Sequence, residues 1–287
     1  MENEPRHNYE YAVDLNGDTA PARVVRMVGE KKRVLEIGAG PGSITRLLRD
    51  PNDCRVTALE IDSQAIQKLS PFCERVYQVD LNDPAWPEML SNDGAFEVVV
   101  AADVLEHLYD PLTTLKAMKG FIRGNGYLVI SLPHVGHCAI IACLLEEDFD
   151  YRDWGLLDRT HIRFFGLKNM QALIESAGLK IADAQFVIVP PKDTEFAGHW
   201  DRLSIKTRNA ISASRFGFVY QVVIKAVTKE SAGKGVTLMS LPVDSQQGYA
   251  ISKYGVKETF KNMARFILSP EARYRLRRIA RSIGVRI

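Results

Sequence analysis

The chain has 287 residues, 46% hydrophobic and 25% charged, with a formal net charge of +2, a composition ordinary for a soluble globular protein. The longest apolar stretch, Val135–Leu145, contains His137 and falls well short of the roughly 18 residues a membrane-spanning helix needs. The N-terminus MENEPRHNYEY carries no apolar signal-peptide core, and Cys54, Cys73, Cys138 and Cys143 show neither CxxC nor zinc spacing, so free thiols in a reducing cytoplasm are expected. Charge is unevenly spread. From Lys229 onward there are 12 basic and 4 acidic residues, an excess of +8, against −6 for the preceding part. That acidic body argues against nucleic acid as a partner, though the basic tail allows RNA.

Strand and helix signals alternate along the body. Arg23–Val28 reads as part of a helix, followed by an apolar strand in KRVLEIG and a helix in Ser43–Asp50. Cys54–Ile61 is a second strand, Ser63–Ser70 a helix, Arg75–Leu81 a third strand and Phe96–Asp103 a fourth. A helix over Asp110–Phe121 and a fifth strand over Gly126–Pro133 follow. Alternation at this spacing predicts an α/β fold with a doubly wound, Rossmann-like sheet, helices lying on both faces. Residues 134–166 break the rhythm as an insertion: an apolar helix, the acidic turn EEDFDYRDWG and the segment DRTHIRFF. An amphipathic helix ended by Gly178, strands over Lys180–Val189 and Phe216–Thr228, and a linker-like ESAGKGV complete the body. The expected organisation is an arm and lid over 1–29, a ligand-binding domain over 30–228, and a basic extension over 229–287.

Between the first strand and its helix lies VLEIGAGPGS, Val34–Ser43. Glycines there let the backbone approach a ligand closely, at the carboxyl ends of the strands where open α/β sheets bind ligands. Position 43 is serine where a dinucleotide fingerprint has its third glycine, and Glu36 would repel a pyrophosphate. An acid at that place suits a ligand with a cationic end, such as the ammonium of a methionine moiety. Glu60 and Asp80 end the second and third strands. As acceptor-only groups they suit ribose hydroxyls and an adenine amino group, with Leu81 offering apolar contact. Taken singly, each acid equally suits a cap on the helix that follows.

With ADVLEH after the fourth strand, these residues resemble the class I S-adenosylmethionine-dependent methyltransferases over about residues 30–190. The resemblance is strongest to the subgroup of ubiquinone-biosynthesis O-methyltransferases and bacterial cell-surface glycan methyltransferases. It implies a last strand that runs antiparallel. It also implies cofactor contacts from Glu36, Gly38, Gly40, Gly42, Glu60, Ile61, Asp80 and Leu81.

Methyl transfer from a sulfonium is a displacement in which positioning matters most, and a hydroxyl acceptor must also lose its proton. A histidine can take it as general base, or a divalent metal can acidify the hydroxyl. The resemblance maps an acid-x-x-Glu-His pattern with a later histidine onto Asp103, Glu106, His107 and His161. These form a candidate ligand set for Mn²⁺, Zn²⁺ or Mg²⁺, with Glu106, His107 and His161 as catalytic candidates. In DRTHIRFF, the pair Phe164–Phe165 is expected to anchor the segment in the core and so present His161 rigidly. Tyr151, Trp154 and Arg159 supply aromatic and cationic surface for an acceptor, and Tyr9–Ala20 is expected to fold over the cofactor.

The subgroup's link to glycans favours a saccharide hydroxyl as acceptor. A small phenol, quinone precursor or other metabolite is the alternative, and a non-catalytic cofactor-binding regulator the reading from another class. The tail SPEARYRLRRIARSIGVRI starts with Ser269 and Pro270 and has a basic amphipathic pattern, suited to an anionic membrane surface or to a protein contact.

Overall fold

The computed structural model describes residues 10–243. The helix expected from Ser269 and most of the basic extension lie outside the described residues. Helix α1 (Ala20–Val28) precedes β1 (Arg33–Ile37), α2 (Thr45–Arg49), β2 (Arg55–Glu60), α3 (Ser63–Leu69), β3 (Arg75–Gln78), β4 (Phe96–Ala102), α4 (Pro111–Gly120) and β5 (Ile122–Pro133). Then follow α5 (Cys138–Leu145), α6 (Leu167–Ser176), β6 (Leu179–Ile188), α7 (Ala197–Arg202), α8 (Ile205–Ser212) and β7 (Val219–Thr228). The sheet has seven strands in the order β3-β2-β1-β4-β5-β7-β6.

The five strands from β3 to β5 are parallel, and β7 runs antiparallel to both β5 and β6. The expected sheet with its antiparallel last strand is therefore present. β1 and the valine-rich β4 are buried on both faces, as central parallel strands must be. Val24, Val25 and Val28 of α1 pack on Val34, Val56, Val98, Val100, Val129 and Val223, which joins five strands and a helix in one apolar cluster. The third strand is shorter than expected, so Asp80 lies just past its end rather than on it.

A smaller core holds the insertion. Ala139, Ile140 and Cys143 of α5 pack against Leu156, Leu157 and Phe196. Beside it, a carboxylate oxygen of Glu195 accepts from the Leu156 N–H at 2.7 Å, and the Tyr220 hydroxyl donates to the same carboxylate at 3.0 Å. These bonds fix a stretch of chain that has no regular secondary structure of its own.

Within DRTHIRFF the two phenylalanines part company. Phe165 is buried and bridges β-fashion to His134, its carbonyl accepting from the Val135 N–H at 3.0 Å. Phe164 is 37% exposed and sets its ring edge-on to Phe149, 5.4 Å between centroids. The expectation that both rings anchor the segment is corrected: neighbours in extended chain point to opposite sides, so only one enters the core.

ESAGKGV is no free linker either. Val236 N–H donates to the Ile181 carbonyl at 2.8 Å, the Lys180 ammonium donates to the Gly233 carbonyl at 2.9 Å, and Leu238 is fully buried. One compact unit includes Phe216–Leu241 and so extends past the boundary expected at 228. Leu203–Arg215, with α8, belongs to a separate unit. None of the four cysteines is in a disulfide, and three of them are buried. Among the described residues, no helix is long and apolar enough to cross a membrane.

The unequal burial of the two rings has a measurable consequence. Phe165→Ala should cost about 3–5 kcal/mol, the range for emptying a buried aromatic site. Phe164→Ala should cost only about 1 kcal/mol, the scale of one aromatic pair. Urea denaturation of both variants checks this, and equal losses would return Phe164 to the core.

Candidate functional site

The crevice opens where the strand order turns back, at the carboxyl ends of β1 and β4. The chain leaving β1 has left-handed backbone at Gly38, Gly40 and Gly42, with φ of +66°, +54° and +89°. A Cβ on Gly38 would stand 2.7 Å from Val104 Cγ2, whereas one on Gly40 would meet nothing within 4 Å. Position 38 therefore needs glycine for close approach as well as for its backbone, and position 40 for its backbone alone.

Glu60, at the end of β2, ties this loop to its own strand. One carboxylate oxygen accepts from Gly40 N–H at 2.7 Å, and the other from Ile61 and Asp62 N–H at 2.8 and 2.9 Å. Of roughly four acceptor positions on a carboxylate, about one remains. Both hydroxyls of a ribose can be received there only if one of these amides gives way. Ile61, 52% exposed, offers apolar surface next to it. Asp80 is exposed and accepts from Asn82 N–H at 2.9 Å, followed by half-buried Leu81.

Glu36 is buried on β1 and accepts from the Thr45 hydroxyl at 2.7 Å. Burial pushes its pKa up to about 7, opposed by the Thr45 bond and reinforced by the charge of Glu60.

The second cluster follows β4. Leu105–His107 makes one 3₁₀ turn. The carbonyl of Glu106 accepts from both Ile162 and Arg163 N–H, each at 2.9 Å, so DRTHIRFF is laced directly onto this turn. His107 Nδ1 lies 3.2 Å from the Thr160 carbonyl and 3.1 Å from its hydroxyl. The rings of His107 and His161 meet edge-on with centroids 4.8 Å apart. His161 Nδ1 is 3.3 Å from the Leu156 carbonyl, which assigns the proton to Nδ1 and leaves Nε2 as the acceptor, 4.0 Å from a Glu106 oxygen.

Glu106 is fully buried, and neither carboxyl oxygen has a hydrogen-bond partner. Burial, with the charges of Asp103 and Asp158 adding, holds its pKa well above the carboxylate range. Burial and the neighbouring His107 push His161 down to about 4, against the opposing charge of Asp158.

Ligand atoms of Glu106, His107 and His161 all lie within 4.8 Å of one another. Asp103, expected as a fourth ligand, is not in this group: its oxygens accept from Ser131 Oγ at 2.7 Å and Gln221 Nε2 at 2.9 Å. A second group, Asp148, Asp150 and His199, lies in the acidic turn and α7. Its charges are shared with neighbours, His199 with Glu146 at 2.6 Å and Asp150 with Arg152. Residues that sequence reasoning missed include Ser131, Thr160 and Gln221. Ser131 and Gln221 meet Asp103 only because β5 and β7 are paired, a long-range fact without a local signal.

Beside His161 an open hollow is lined by Tyr151, Arg159, His161, Ile162 and Phe164. Trp154, expected with them, is exposed and is not among the lining residues. Arg159 is paired to Asp153 at 2.7 Å.

Two cofactor predictions follow from Glu36 and Glu60. Below its pKa of about 7 Glu36 is neutral, and above it the group carries a full charge. Affinity for cationic S-adenosylmethionine should therefore rise as pH passes upward through 7, and Glu36→Gln should flatten that rise in calorimetric titrations. Glu60→Ala should weaken binding by about 1–3 kcal/mol, the scale for groups left unpaired.

Comparison with known proteins agrees with this geometry. The family model described as a methyltransferase domain matches residues 7–184. A ubiquinone biosynthesis O-methyltransferase of Aromatoleum aromaticum is 27% identical over 158 residues, covering 53% of this chain and 65% of that protein. The hybrid PKS-NRPS synthetase iccA of Talaromyces variabilis is 32% identical over 130 residues, 42% of this chain and 3% of the synthetase. The chain thus spans less than two thirds of the length of either relative. The crystal structure of a possible histamine N-methyltransferase from Thermotoga maritima superposes with a TM-score of 0.50 at 15% identity, covering 73% of this chain and 88% of that one, a likeness of fold. The chain belongs to the methyltransferase-domain family, with the fold of the class I S-adenosylmethionine-dependent enzymes.

Proposed function

We propose that this protein is an S-adenosylmethionine-dependent O-methyltransferase whose acceptor is a hydroxyl on a small aromatic ring, a phenol or quinone precursor. The observation that carries the reading is the placement of His161. Its free Nε2 belongs to a ring that lines the open hollow and stands 4.0 Å from the unpartnered carboxyl of Glu106. Phe164, Ile162 and Tyr151 give that hollow apolar and aromatic walls suited to a flat ring. The named activity of the Aromatoleum relative supports the same class of acceptor.

In this reading the acceptor oxygen attacks the sulfonium methyl group as its proton passes to His161 Nε2. The methyl–sulfur bond breaks and S-adenosylhomocysteine leaves. With a pKa pushed down to about 4 the imidazole is neutral at ordinary pH but a weak base, so it takes the proton only as the methyl group is transferred. The charge it then gains is offset by Asp158, buried three residues away along the chain.

A metal ion is a second reading, favoured by the orphaned oxygens of Glu106. One carboxylate and two imidazoles fit Mn²⁺ or Zn²⁺ better than Mg²⁺, which prefers oxygen. Glu106, His107 and His161 would hold it, and it would lower the pKa of the acceptor hydroxyl. A saccharide acceptor stays open through Tyr151 and Arg159, a stacking surface beside a cation.

Labelled methyl donor offered to phenols, quinone precursors and saccharides tests the acceptor class; turnover of saccharides alone would overturn the aromatic reading. His161→Ala should lower the rate by roughly 10²–10⁴ with cofactor affinity unchanged. Full activity after chelation sets the metal aside, and full activity of the alanine variant sets aside both mechanisms.

A further inference from the structure

One turn of the insertion carries both polar groups of the hollow beside His161. Asp158 is buried and closes that turn. Its carboxylate accepts from the Thr160 N–H at 2.8 Å and the Thr160 hydroxyl at 2.6 Å, and its carbonyl accepts from the His161 N–H at 2.9 Å. On the other side the Arg159 N–H donates to the Arg152 carbonyl at 2.9 Å, beside the β-bridge between Arg152 and Asp158. The backbone around Arg159 is thus fixed, while its side chain is exposed. Arg159 and His161 are two residues apart and both line the hollow. Their Cα atoms are separated by at most about 7 Å, the scale of one substituted ring.

The remaining wall is apolar. Phe149 stands edge-on to Tyr151 and to Phe164, with centroids 5.0 and 5.4 Å away, so the two aromatic rings of the lining are steadied through a third.

Against that wall stands one permanent charge. With His161 neutral at ordinary pH, the Arg159 guanidinium is the charged group among the described residues that line the hollow. Its partner Asp153 is not part of the lining, and the two side chains are 57% and 67% exposed. An ion pair so open to water holds its members weakly, so the guanidinium can exchange Asp153 for another carboxylate at little cost.

We propose that Arg159 is a specificity-determining residue that selects acceptors carrying a carboxylate on the aromatic ring. The guanidinium holds the carboxylate at one end of the ring, and the hydroxyl at the other end meets His161 Nε2. The inference rests on the aromatic O-methyltransferase reading above and narrows its acceptors to hydroxybenzoates. A planar guanidinium offers two parallel N–H donors that match a carboxylate. Two fixed points orient a flat ring where an apolar wall alone would let it turn, and orientation is what a displacement at a methyl group needs.

Matched pairs of hydroxybenzoates and hydroxybenzamides, with hydroxyls at each ring position, test this with labelled methyl donor. The amide keeps the ring and its hydroxyls and lacks the charge. For the pair turned over best, kcat/KM should favour the acid by about 10-fold, the lower end of the scale for hydrogen bonds to a charged group, with the difference lying in KM. Arg159→Gln should remove that preference, and Arg159→Lys, which keeps the charge but loses the fork, should restore part of it. Equal efficiency on acid and amide, or better turnover of the amide, overturns this inference and leaves the aromatic reading standing. So does a preference for the acid that survives Arg159→Gln, or turnover of neither series while other phenols react. Failure of every phenol to react overturns both.

Discussion

The candidate site depends on a single backbone acceptor, the carbonyl of Glu106, which takes hydrogen bonds from two consecutive amides, Ile162 and Arg163. Through it, a turn at the end of one strand and a loop more than fifty residues later become one rigid object. His107, Thr160 and His161 owe their mutual positions to that junction. Because the bonds are made by backbone, the side chain of Glu106 is free to stand inside the cluster instead of building it. The burial of Phe165 behind the loop keeps the junction in place from the other side.

Electrostatics sorts the acids into two kinds. Glu60 is engaged by three backbone amides and shapes the glycine loop. Glu36 and Glu106 are buried and Asp103 is half-buried, and loss of solvent is the first cause of the raised pKa of each. Such placements destabilise a fold unless function requires them, which is why perturbed carboxyls concentrate where ligands bind. Sequence position alone does not separate the two kinds, since all four follow or end a strand of the parallel sheet.

What was legible in the sequence was whatever local periodicity records. The apolar run of β1, the valine-rich run of β4, the glycine loop and the strand positions of Glu36 and Glu60 could be read because burial and backbone geometry leave their mark residue by residue, whereas Asp80, expected to end the third strand, lies past it. DRTHIRFF was legible as a conflict of residue types but not in its solution. Which of two adjacent phenylalanines turns inward depends on the pairing of Phe165 with His134, and no local pattern encodes a partner thirty residues away. Asp103 was placed with the histidine cluster by the pattern that the family resemblance carries. The 3₁₀ turn starts two residues later, and the left-handed backbone at 103 sends its side chain toward Ser131 and Gln221 instead.

β7 occupies the place between β5 and β6 although it is made after both. Until residues 219–228 leave the ribosome, β6 has no neighbour to pair with and β5 ends the sheet as a bare edge. Gln221, 118 positions beyond Asp103, arrives with that strand. A nascent chain lacking it presents a nearly complete cofactor loop with one wall missing, and an exposed strand edge of the kind chaperones guard. The order of synthesis thus leaves the crevice open until the seventh strand is made.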